Sequence, residues 1–204
     1  MLFRSEYRRI GLALGGGDFE EAANRMLAMP VTDDTPEADR WTRLAAQRVH
    51  RAAALRMRDG RVGVDVARAA VESGRRYLEL LSVAEDGTTP EDRFAILDRD
   101  RMLPIAASIA SALDALQQAT DDPVDGREAL EWYRAILDRR PNDGSVLEAA
   151  GELAARLDEP EFALDCWRTL VRGAPDGSDL WWKARTRQVA ALLQVDPVRA
   201  AEVL

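Results

Sequence analysis

Apolar residues recur three and four positions apart along most of this chain, in runs of helix length separated by Gly, Pro and Asp. No run alternates apolar and polar residues with the β-branched bias of a strand. The pattern predicts helices over 3–15, 17–29, 36–57, 62–83, 101–119, 125–139, 144–157, 160–173, 177–194 and 197–204. A short extra helix is expected at Thr89-Pro90-Glu91, where Thr89 can cap and Pro90 suits a first turn. The connections are mostly short, so neighbouring helices run antiparallel. The expected fold class is all-α, built from helix pairs.

Composition agrees. The 204 residues are 47% apolar, enough to bury a core, and 34 of them are alanine, which favours helix over sheet. The net charge of −8 speaks against general nucleic-acid binding and against docking on an anionic membrane surface. No stretch is long and apolar enough to span a bilayer, and Met1 to Gly17 lacks the central apolar run of a signal peptide, so a cytoplasmic protein is expected. Cys166 is the single cysteine and His50 the single histidine, which excludes an intramolecular disulfide and leaves little for a zinc site. Neither a metal nor a cofactor is expected.

Self-similarity organises the chain further. Over the 34 residues from Gly144 to Gly177, the residues Leu147, Ala150, Gly151, Ala163, Trp167, Leu170 and Pro175 follow one another in a recognisable order. The stretch resembles the tetratricopeptide repeat, a helix pair with apolar, small, aromatic and Pro residues at those places. Small Gly151 and Ala163 let two helices approach, Trp167 fills the wedge between them, and Pro175 stops the second. Ala129, Tyr133, Ile136 and Pro141 repeat the second-helix part, and Gly17 to Ala22 looks like the family's turn. The resemblance implies an antiparallel helix-pair solenoid of about five pairs. It would be a single domain over 1–204, with units near 3–31, 36–86, 101–142, 144–177 and 178–204. It also implies a core holding Trp41, Leu44, Ala129, Tyr133, Leu147, Gly151, Ala163, Trp167, Leu170 and Trp181.

Candidate chemistry is sparse. Gly15-Gly16-Gly17 follows a helix and continues Asp-Phe-Glu, so it reads as a turn and not a phosphate loop. Asp121 to Gly126 puts Trp132 where a calcium loop needs Glu. Glu128/Glu131 and Glu148/Glu152 read as solvated, ion-paired helix faces. Cys166 has no neighbouring cation in sequence to activate it. The expected function is therefore a non-catalytic scaffold that holds a protein or peptide partner in the concave groove formed by the first helix of each pair. The resemblance carries groove positions onto Tyr7, Thr42, His50, Glu148, Glu152, Arg156, Trp182 and Thr186, with Ala46 and Val49 beside Thr42. Apolar spacing adds Asp114, Gln117 and Gln118. Chaperone-tail binding by this family uses Lys/Arg and Asn in the groove; a single lysine, with Asn24 and Asn142 outside it, leaves that clamp absent. The other readings are a helical enzyme or ligand binder using His50 and groove carboxylates, and a structural segment of a larger repeat protein.

Two details carry expectations of their own. The segment Arg40 to Arg61 holds seven arginines, with Arg40, Arg51 and Arg58 on one side of a helix and Arg43 and Gln47 beside them. Pairing with the acidic remainder of the chain is the expected use, and a stripe for a partner the other. Arg48 falls on the apolar side in the repeat frame, so a carboxylate such as Glu72 or Asp65 is expected beside it. At the other end, Trp181, Val189, Leu192 and Leu193 exceed what the short helix up to Leu204 can cover. A second copy or further chain is expected to pack there, giving a homo-oligomer in the first case.

Overall fold

The computed structural model describes residues 2–29, 36–60, 63–82 and 94–203. Among the described residues it is all-helical, without strands, and within each of the units described below neighbouring helices pack together. The helices are α1 (Leu2–Gly16), α2 (Phe19–Leu27), α3 (Pro36–Arg58), α4 (Val64–Ser82), α5 (Leu103–Thr120), α6 (Pro123–Arg139), α7 (Gly144–Arg156), α8 (Pro160–Gly173), α9 (Asp179–Val195) and α10 (Pro197–Val203). Two 3₁₀ turns, Ala95–Asp98 and Asp100–Met102, precede α5 and were not expected. The helix anticipated at Thr89 lies outside the described residues.

Starts and stops follow local chemistry. Asp18, Asp143 and Ser178 cap α2, α7 and α9 by accepting from the backbone N–H three residues on, at 2.9, 3.3 and 3.2 Å. Gly17 makes the turn before α2 with φ +82°, a conformation that L side chains rarely adopt, so the triple glycine serves a turn. Asp121 ends α5 in the left-handed region, and Pro123 opens α6. Gly126 therefore sits inside α6, so the acidic segment there is a helix start and not a metal loop.

The chain divides into two compact units, 1–122 and 123–204, with the boundary inside the expected third pair. In the first, α1, α3 and α5 lie side by side in one row and α2 and α4 in another; α4 packs on both α3 and α5. Its core is alanine-rich, with Ile10, Met26, Val49, Leu97, Ile109 and Leu113 among the large fully buried members. Gly74 permits the close approach of α4: a Cβ there would stand 2.6 Å from Ile109 and 2.9 Å from His50.

In the second unit α8 packs between α7 and α9. Trp167 is 1% exposed, and a Cβ on Gly151 would meet its ring at 2.8 Å. Ala129, Tyr133, Leu147, Ala163 and Leu170 are buried as expected. Three other core assignments need correction: Trp41, Leu44 and Trp181 are only half-buried. Trp41 tilts against Tyr7, and Trp181 meets Trp182 edge to face at 4.7 Å.

Candidate functional site

The side chains of α3 decide what the first unit can present. Thr42, Ala45, Ala46, Val49 and Ala53 form its buried side. Thr42 and His50, expected in the groove with Ala46 and Val49, are thus core residues. Thr42 Oγ1 donates to the Ala38 carbonyl at 3.0 Å, and His50 Nδ1 lies 3.0 Å from the Ala70 carbonyl. A carbonyl only accepts, so Nδ1 carries a proton. Burial holds the imidazole below its ordinary 6.5, with the Ala70 hydrogen bond opposing that shift. Ser73 completes this buried polar group by donating to the Ala69 carbonyl.

The opposite side of α3 is open. Arg40, Arg48, Arg51 and Arg58 are exposed there, with Leu55 52% exposed among them. Arg43 pairs with Asp39 at 2.5 Å. Arg40, Arg51 and Arg58 make no ion pair among the described residues, contrary to the expected pairing with acids. Arg48 does not meet Glu72 or Asp65 either. Its guanidinium lies over the Tyr7 ring, 4.9 Å from the centroid, in the space left by Gly11. The correction has the same cause as that for Thr42: the buried strip of α3 is rotated from the repeat frame.

Between α3 and α5 runs an open cavity of about 710 Å³. Ala54, Met57 and Arg58 line it from α3, and Ser108, Ser111, Asp114 and Gln118 from α5. Gln118 Nε2 donates to Asp114 Oδ1 at 3.1 Å, which holds the carboxylate in place. Gln117, expected beside them, is 8% exposed and belongs to the core. His50 does not line this cavity.

In the second unit, the candidates Glu148 and Glu152 of α7 face α9. Lys183 bridges them at 2.7 and 3.3 Å, and Arg187 reaches Glu152 at 3.2 Å. The hydrogen bond to Glu148 is the main cause that raises the Lys183 ammonium above its ordinary range. These acids are thus an interhelix ion-pair network, and Lys183 and Arg187 are the partners that sequence reasoning missed. Arg156 is exposed near the end of α7, Trp182 is 58% exposed, and Thr186 hydrogen-bonds back to the Trp182 carbonyl at 2.9 Å. Cys166 is buried, and desolvation pushes its thiol up to about 12, well away from nucleophilic use.

No helix among the described residues is long and apolar enough to cross a membrane, and no group of three or more His, Cys, Asp or Glu there is placed to hold a metal ion. No protein-family model matches the chain, and no curated protein matches it in sequence.

Proposed function

We propose that this chain is a non-catalytic helical scaffold of the tetratricopeptide-like kind, which binds a protein or peptide along the row formed by alternate helices. The observation that supports it most is the α3–α5 cavity, an open trough lined by Met57 and by small, polar and charged side chains. The reading of His50 as a general base loses its main support, because the ring is buried, hydrogen-bonded to Ala70 and outside the trough. We assign the protein to the cytoplasm, where a free thiol such as Cys166 stays reduced.

Native purification from the source cells, with identification of whatever co-purifies, tests this function. A protein partner retained by the wild type and lost in Gln118→Trp, which fills the trough, is the expected result. Nucleic acid or a small molecule in place of a protein would overturn it, as would the absence of any partner. Self-association through the α9–α10 end belongs to the same reading. Leu193, Val195 and Val198 are 48%, 38% and 74% exposed there, while Leu204 lies outside the described residues. Light scattering that stays monomeric across a concentration series would remove that part alone.

A further inference from the structure

We propose that the exposed side of α3 docks an acidic polypeptide segment that carries apolar residues beside its carboxylates. The proposal rests on the scaffold reading and gives its partner a chemistry. The chain is acidic overall, at −8, yet α3 holds six arginines against Glu37 and Asp39. Among the described residues only Arg43 of these makes an ion pair, with Asp39. The other exposed guanidiniums stand in a row. Arg40 and Arg51 are eleven residues apart and Arg51 and Arg58 seven, so at about 1.5 Å per residue the row runs roughly 27 Å along one side.

Leu55, 52% exposed, follows Arg51 by four positions and precedes Arg58 by three, which places it between them on the same side. Half-buried Leu44 follows Arg40 by four. Helix α1 packs along one flank of α3, α5 along the other, and α4 on the side of Thr42 and Val49, so the arginine side is the one left open.

Guanidinium forks match carboxylates with paired N–H donors, and an apolar side chain between them gives a partner leucine or valine something to cover. The same arginines would suit phosphate, but apolar Leu55 among them and an acid beside Arg58 favour a peptide. Asp114 lines the same trough as Arg58, which sets a carboxylate along the path of a phosphate chain. A peptide can place a neutral or basic residue there; a nucleic-acid backbone cannot.

The test titrates the full chain with a fluorescein-labelled fifteen-residue peptide of repeating Glu-Glu-Leu, read by anisotropy. A Lys-Lys-Leu peptide and a fifteen-nucleotide oligothymidine serve as controls. Saturable binding of the acidic peptide is expected, weakened about tenfold or more by Arg51→Glu with Arg58→Glu and weakened by added salt. Leu55→Ser should lower affinity without changing the salt dependence. Thermal melting by circular dichroism shows whether each variant is folded, and Arg51→Gln gives a milder change of the same sign.

No saturable binding, affinity indifferent to the charge reversal, or tighter binding of the oligonucleotide would overturn the proposal. A cellular protein partner that co-purifies undiminished with the charge-reversed chain would overturn it too, while leaving the scaffold reading in place.

Discussion

Trp167 rests where Gly151 has no side chain, and that one contact sets how close α7 and α8 come. Truncating this ring, 1% exposed, should cost about 3–5 kcal/mol, because the surrounding helices cannot collapse into so large a void. Gly151→Leu fails from the other direction: its first carbon would already stand 2.8 Å from the indole, so it should destabilise by at least about 1–3 kcal/mol. Chemical denaturation of both variants checks this, and unchanged midpoints would contradict the packing. Gly11 is the contrast, since what occupies its Cβ space is the movable end of Arg48; Gly11→Ala should be tolerated while displacing that guanidinium from Tyr7. His50 makes stability depend on pH with a definite sign. Its folded pKa lies below the unfolded 6.5, so the unfolded chain binds more protons between the two values. Stability is therefore full above about pH 6.5 and falls as the pH drops through that value toward the folded pKa. Glu72, raised above 4.5 chiefly by burial, acts with the opposite sign at lower pH. With one histidine in the chain, His50→Gln should flatten the slope of the melting temperature between about pH 5.5 and 7. A slope that survives the substitution would show that another group causes it.

Helix positions were the most legible feature of this sequence, because Gly, Pro and Asp break helices through their immediate neighbours. Asp18, Asp143 and Ser178 start helices, Asp121 and Pro123 separate two, and the expected helices α1 to α10 appear within about two residues of their places. Asp143→Ala should accordingly cost about 1 kcal/mol through its lost bond to the Val146 N–H, read as a lowered melting temperature, while Asp143→Asn should be nearly neutral. Rotation of a helix about its own axis was less legible, and α3 shows why. Alanine occupies Ala45, Ala46, Ala52, Ala53 and Ala54 on several sides, so the pattern has little amphipathic contrast. Thr42 and His50 look like surface residues by type, yet each is buried with its hydrogen bond met by a backbone carbonyl four residues back or on another helix. Leu55 looks like core and is exposed. With that rotation Thr42 and His50 lie in the core, as Gln117 of α5 does, and Arg51 and Leu55 are exposed, while Asp114, Gln118 and Arg58 line the trough. The two 3₁₀ turns before α5 are too short to leave a period in the sequence.

At the scale of the molecule, two compact helical units share one acidic chain, and its basic residues are unevenly spent. In the second unit Lys183 and Arg187 hold α9 to α7 through Glu148 and Glu152. In the first, Arg40, Arg51 and Arg58 of α3 face solvent beside a trough, with apolar Leu55 among them. Fold stability does not require that arrangement, since exposed, unpaired like charges on one helix repel one another. Carboxylates of a partner would give it a use, and the proposed partner is a protein lying across α3 and α5. Site-specific photo-crosslinking in the source cells tests it most directly. A benzophenone side chain placed singly at Leu55 or Gln118 should form covalent adducts with a protein, and one placed at Arg68 or Glu79, on the exposed part of α4, should not. Adducts from α4 with none from Leu55 and Gln118, or no protein adduct from any of the four positions, would contradict it.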